Sequence, residues 1–200
     1  MISFPRVIVI TGTPGIGKTS ISKLLAERLN AFYINITQLI KRENLISSID
    51  TDKDAIIADM DKLSNAISRI IDAASHDVIV EGHFASEVVS ISFVPEIFVL
   101  RIDPSTLQRR LQARGYKKKK IVENVAAEIL DVCLVDTIKK HGVDRVDEID
   151  VTEMTVKEVT DEIMNVLDGR RNHRSSGVDW LGKLEKNGRL DEFLAFLNFL

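Results

Sequence analysis

Two hundred residues, 44% hydrophobic and 28% charged, suit one globular domain with room for an appendage. A formal net charge of −3 excludes a general attraction to nucleic acid or to an anionic membrane, so any RNA contact has to be local. The single Cys133 excludes an internal disulfide framework, and no apolar run approaches the length of a membrane span. The N-terminus runs into the first strand with no room for a signal peptide; together with the lone cysteine this gives a cytoplasmic expectation.

The first element is an apolar, β-branched run, Arg6 to Thr11, which predicts a buried strand. It leads into Gly12-Thr13-Pro14-Gly15-Ile16-Gly17-Lys18-Thr19, the full G-x-x-x-x-G-K-T phosphate loop. From Ser20 to Leu29, apolar residues at Ile21, Leu24, Leu25 and Leu29 predict the helix that must follow such a loop. Glycines let the backbone N–H groups turn inward, and the helix adds the positive end of its dipole. Lys18 is placed to reach the β- and γ-phosphates, and the Thr19 hydroxyl to bind Mg²⁺. These residues point to a nucleoside triphosphate site.

Phe32 to Ile36 reads as a second strand, after which Thr37 is expected to cap a helix through about Glu43. Asn44 to Lys53 is expected to be irregular, and a long helix is expected to carry Ile56, Met60, Leu63, Ile67, Ile70, Ile71 and Ala74 on one face. The stretch from Thr37 to the start of that helix is an insertion between sheet elements, the kind of segment that carries function.

Asp77 to His83 predicts a strand ending in an acid. Behind a phosphate loop, Glu81 is a candidate for the Mg²⁺ shell, and His83 lies two residues on; the plainer reading is a solvated strand end with an incidental histidine. Ile97 to Ile102 is a further strand, and Asp103-Pro104 opens a helix as cap and first residue. That helix is expected to end at Gly115, after Arg109, Arg110 and Arg114. Lys117 to Lys120 follow, then a helix with Ile121, Val125, Ile129, Leu130 and Val132 inward. This cationic stretch is either a solvated surface or a flap over a polyphosphate, and Arg114 is its strongest single candidate.

Val143 to Ile149 is the last strand, and Thr155-Val156-Lys157-Glu158 is a capping box. Strand and helix alternate throughout, which predicts an α/β fold with a parallel sheet covered on both faces. Gly169 to Gly177 reads as a basic linker, and Val178 to Leu200 as a helical tail with Trp180, Leu181 and Leu184 in one apolar stripe and Leu190, Phe193, Leu194 and Leu197 in another. The tail is either a hairpin packed on the domain or an apolar surface that docks a partner.

The combined motifs resemble the adenylate kinase 6 family, in particular its archaeal branch. The matching pieces are the loop at Gly12–Thr19, Tyr33-Ile34-Asn35, Glu81-Gly82-His83, Arg114-Gly115-Tyr116, Lys119-Lys120-Ile121, Asn124 and Glu128, spread over residues 6 to 167. Many eukaryotic members of that family carry Asp at the position of Glu81. The resemblance implies a three-layer nucleoside monophosphate kinase fold with a five-stranded parallel sheet. It implies a kinase domain over residues 1–168, a monophosphate-binding segment at about 35–58, a lid at about 113–123, a linker at 169–177 and a helical tail at 178–200. It implies ATP + AMP ⇌ 2 ADP with broad monophosphate tolerance, together with ATP hydrolysis. Gly12, Gly15, Ile16, Gly17, Lys18, Thr19, Ser20 and Arg114 would bind ATP. Asn35, Thr37 and Arg42 would bind the monophosphate, and Thr19 and Glu81 would hold Mg²⁺. Lys18, Arg114, Glu81 and His83 would carry the chemistry. The same resemblance implies a role in late small-subunit ribosome maturation, with a platform ribosomal protein and pre-ribosomal rRNA as partners of a chain that is otherwise monomeric. Two classes of function thus stand side by side: a nucleotide-metabolising enzyme, and an assembly factor driven by ATP. A GTPase switch is disfavoured, because neither Asn-Lys-x-Asp nor Thr-Lys-x-Asp occurs.

Overall fold

The computed structural model describes residues 5–50, 55–171 and 177–197. Five strands, β1 (Val7–Thr11), β2 (Phe32–Asn35), β5 (Val78–Glu81), β6 (Glu96–Arg101) and β7 (Val146–Asp150), form one parallel sheet in the order β2-β5-β1-β6-β7. All the pairings are parallel because helices lie between successive sheet strands and return the chain to the same edge. Alternation along β1 divides the core in two. Ile8 and Ile10 face a cluster with Ile21 and Leu25 of α1 (Lys18–Leu29) and Ile163 of α8 (Val156–Leu167). Val7 and Val9 face the other cluster, with Leu63 and Ile67 of α3 (Met60–Asp72) and Leu134 of α7 (Val132–His141). Period two in the strand thus becomes three layers in space.

The expected phosphate loop lies between the end of β1 and the start of α1. Gly12 has φ 132°, and a Cβ there would run into the Leu100 carbonyl oxygen of β6. The loop can lie this close to the sheet only because position 12 is glycine.

Several elements differ from the sequence expectation. Ile36 does not extend β2; it opens α2 (Ile36–Glu43). The cap of α2 is Asn35 rather than Thr37, because the Asn35 side chain accepts the Gln38 N–H from an extended backbone. The stretch expected to be irregular contains β3 (Ile46–Asp50), which pairs antiparallel with β4 (Ala55–Ala58); residues 51–54 lie outside the described ones. Ile56 therefore belongs to a strand, and α3 begins only after Asp59, which accepts the Lys62 N–H as its cap. Ala74 lies beyond the end of α3.

The helix expected after the lysine run takes in most of it: α6 (Lys118–Ile129) starts at the second lysine and stops where Asp131 takes a left-handed conformation and its carboxylate pairs with buried Arg101. Leu130 and Val132, expected inward, are exposed as a result. Val143 to Arg145 is a short 3₁₀ turn, so β7 starts later than expected and takes in Asp150. The Thr155–Glu158 capping box opens α8 as expected.

Beyond the core, α9 (Trp180–Lys186) and α10 (Leu190–Leu197) form a hairpin around Gly188. Trp180, Leu184 and Phe193 are buried, and Leu184 and Phe193 join the α1/α8 cluster, so the tail packs on the domain. Leu181 and Leu194 of the same stripes face outward. Part of the expected linker, residues 172–176, and the last three residues lie outside the described ones. Among the described residues, no helix is long and apolar enough to cross a membrane.

Candidate active site

Parallel register builds the site. It sets Ile10 of β1 and Asn35 of β2 on either side of Glu81, so three strand ends converge where the phosphate loop begins. Glu81 is buried, 4% exposed, and its carboxylate is met by three side chains. The Tyr33 hydroxyl donates to it at 2.8 Å and the Asn35 amide at 2.5 Å. The Thr19 hydroxyl lies farther off, at 3.3 and 3.4 Å from the two oxygens. Burial, then the bond to Glu81, pushes the Tyr33 hydroxyl up to about 12, so it stays a donor at neutral pH. Tyr33 and Asn35 are two residues apart on a strand and so share a face. That spacing was legible in the sequence, but only the pairing of β2 with β5 shows which acid they serve.

Lys18 is buried at the start of α1, and its ammonium donates to the carbonyls of Gly12 at 2.7 Å and Thr13 at 3.0 Å. Burial pulls its pKa down, opposed in part by Glu81 and Glu128. An ammonium has three protons, so one remains for a bound phosphate. Arg110 of α5 (Pro104–Ala113) donates to the Ile16 carbonyl at 2.8 Å. The sequence grouped it with Arg109 and Arg114 but could not assign it to the loop.

Two clefts open here. The smaller, about 340 Å³, is lined by Gly15, Gly17, Lys18, Thr19, Ser20 and Glu81, with Arg114 across from them. The larger, about 750 Å³, runs between the β3–β4 segment and helices α6 and α7, past Ile57, Met60, Phe84 and Asn124. They share a wall made of Pro14, Thr37, His83 and Tyr116. His83 is accessible from both. The protein around it still desolvates the ring, and Lys18 and Lys120 add positive charge, which together lower its pKa to about 4. A concavity of about 530 Å³ beside Phe32 and Ile70 shares no residue with either cleft.

The structure thus brings together Gly15, Gly17, Lys18, Thr19, Ser20, Asn35, Thr37, Glu81, His83 and Arg114. Gly12 and Ile16 lie behind the cleft, where Ile16 fills the core and only its backbone belongs to the loop. Both ends of the Asn35 side chain are engaged, by Glu81 and by the N-terminus of α2. Arg42 is not brought in: it is exposed, pairs with Glu43, and stands five residues beyond Thr37, roughly 140° around the helix. Sequence reasoning missed Tyr33 and Thr13 as bonding partners within the site. It matched Glu128 to the family without giving it a role; its carboxylate accepts the Thr13 hydroxyl at 2.5 Å.

Comparison with known proteins gives this arrangement a family. A family model described as an AAA domain matches residues 8–131. A protein of Methanocaldococcus jannaschii named "Putative adenylate kinase" is 40% identical over 176 residues, covering 88% of this chain and 93% of its own. A protein of the same name from Thermococcus onnurineus is 35% identical, covering 90% and 94%. The chain belongs to this AAA-domain family. Among solved structures, shikimate kinase from Bacteroides thetaiotaomicron is 16% identical with a TM-score of 0.56, covering 82% of this chain and 98% of its own. A gluconokinase from Sinorhizobium meliloti is 20% identical with a TM-score of 0.55, covering 84% and 94%. These two share the P-loop kinase fold: a parallel sheet of five strands flanked by helices.

Proposed function

We propose that the chain is a nucleoside monophosphate kinase that converts ATP and AMP into two ADP and also hydrolyses ATP. The observation that carries this reading is the pair of clefts with a common wall at Pro14, Thr37, His83 and Tyr116. The smaller cleft has the charge and backbone donors for a triphosphate. The larger has mixed apolar and polar walls suited to a second nucleoside. The names of the archaeal relatives agree with this assignment.

Thr19 and Glu81 fit a magnesium ion. A hydroxyl and a carboxylate 3.3 Å apart are hard oxygen donors, and the rest of the shell is left to phosphate and water. When bound, the ion offsets charge on the phosphate oxygens. Tyr33 and Asn35 fix the carboxylate in place. Lys18 holds the donor phosphates from the floor of the cleft. Arg114, at the turn between α5 and α6, neutralises charge that spreads over the transferring group. Closure of residues 113–123 excludes water, which competes with AMP as acceptor. Looser closure gives hydrolysis, so one site supports both activities. Thr37 serves the acceptor from the shared wall.

The test is an assay of ADP formation with ATP alone and then with each monophosphate. Stimulation by AMP far above the ATP-only rate is expected; no stimulation by any monophosphate removes the reading. Lys18→Ala is expected to abolish both activities, and Arg114→Ala to lower kcat by about 10²–10³-fold. His83→Ala is expected to change hydrolysis more than AMP phosphorylation, and equal losses would remove any special role for the ring.

A second reading, an ATP-driven assembly factor for the small ribosomal subunit, is supported by the family resemblance and by Leu181 and Leu194 on the outer face of the tail, 42% and 49% exposed. Capture of a ribosomal protein that changes between ATP and ADP would favour it.

A further inference from the structure

Glu128 of α6 is buried beneath the phosphate loop, and both its carboxylate oxygens are occupied. Oε2 accepts the Thr13 hydroxyl at 2.5 Å. Oε1 accepts three N–H groups: Arg101 Nε at 2.8 Å, the backbone of Ile102 at 3.1 Å and the indole of Trp180 at 3.0 Å. Trp180 opens α9 in the C-terminal segment and is 3% exposed. The same segment is fastened to Glu148, whose Oε2 accepts the N–H groups of Gly177 at 2.8 Å and Val178 at 3.3 Å. Arg101 joins the two carboxylates, donating to Glu148 Oε1 at 2.5 Å. One buried cluster therefore has the tail on one side and the phosphate loop on the other.

The path continues into the donor site. The backbone carbonyl of Thr13 accepts the Lys18 ammonium, so the residue anchored to Glu128 by its hydroxyl also holds the lysine.

We propose that Trp180 is a positioning residue of the phosphate loop, acting through Glu128 on Thr13, so that the C-terminal segment is a working part of the donor nucleotide site. The proposal rests on the reading of the loop as the holder of the triphosphate. Loss of the indole N–H leaves Oε1 with two donors and removes one of the four bonds that fix the carboxylate under Thr13. The cost falls on binding the donor rather than on the chemical step, because Trp180 touches neither cleft. Coupling of this kind is reciprocal, so a nucleotide at the loop has to be felt at the indole.

Trp180 is the single tryptophan of the chain, so its emission reports the far end of this path. The full-length protein is titrated with MgATP while emission and heat are recorded in parallel. A saturable emission change with the midpoint of the heat is expected. Heat with silent emission overturns the inference and leaves the donor-site reading standing, whereas no heat at all overturns both. In Thr13→Val the emission response per ATP bound is expected to disappear; an undiminished response removes the route through Thr13. Trp180→Phe keeps an aromatic ring and removes the N–H. It is expected to raise KM for ATP about tenfold, the order of one hydrogen bond to a charged group, with kcat within about twofold. A merely structural role would lower thermal stability and leave KM alone, and a folded Trp180→Phe with the parental KM overturns the proposal.

Discussion

Two side chains on either side of Gly82 divide the work of the site. Glu81 points into the hydrogen-bond set of Tyr33, Asn35 and Thr19, while His83 lines both clefts without joining that set. Desolvation, then Lys18 and Lys120, lowers the His83 pKa from the usual 6.5 to about 4, so the ring is neutral at pH 7. The sign of the linkage follows. Between these two values the unfolded chain binds the proton and the folded one does not, so stability is lost as pH falls from 6.5 towards 4. His83→Gln is expected to narrow the difference in Tm between pH 7 and pH 5. NMR titration of the four histidines is expected to show one that stays neutral below pH 5 and whose pKa rises with MgATP, because the triphosphate offsets the two lysines. A His83 that titrates near 6.5 with or without nucleotide would sink this account of the wall between the clefts.

Helices α8 and α6 show opposite treatments of a helix start. In α8 the Thr155 hydroxyl accepts the Glu158 N–H at 3.3 Å, while the Glu158 carboxylate accepts the Thr155 N–H at 2.7 Å. Thr155→Ala is expected to cost about 1 kcal/mol in urea unfolding and to leave the kinetics unchanged. Helix α6 has no side-chain cap and no acid in its first turn, and it begins with Lys118, Lys119 and Lys120 against the dipole. Closure of this turn over a bound polyphosphate would protect its backbone, so hydrogen exchange at amides 118–123 is expected to slow on adding MgATP. If those amides exchange equally fast with and without nucleotide, the turn after Arg114 does not close on the phosphates. Helix α6 starts inside the lysine run that was expected to precede it. The start of α8 was legible in the sequence because a capping box is a local signal, and the same is true of the phosphate loop and of Glu81 at its strand end. The β3–β4 pair was not. Its first strand is interrupted by Ser47 and Ser48, and Ile56 stands four residues before Met60, a spacing that imitates a helical face.

Loop, sheet and tail meet at Arg101, which is 1% exposed and paired with Glu128, Glu148 and Asp131. Nothing local in the sequence announced this meeting. Thr13 and Glu128 are 115 residues apart, and Trp180 is a further 52 beyond Glu128. The tail read as an appendage because its own stripes are short, yet its buried Trp180 ends on Glu128, the same carboxylate that holds the loop through Thr13. A buried arginine among carboxylates adds little stability over an apolar core of the same shape, but removing it leaves uncompensated charge. Arg101→Met is therefore expected to lower the unfolding free energy by about 3–5 kcal/mol. The manner of the loss tests the connection. Far-UV circular dichroism follows the sheet and its helices, and Trp180 emission follows the tail. With tail and core joined at Arg101, the two urea transitions coincide in the parent, and in Arg101→Met they shift together to lower urea. A parent whose Trp180 emission changes well before its circular dichroism would have a tail that releases on its own, and the buried cluster would then not bind tail and loop into one folding unit.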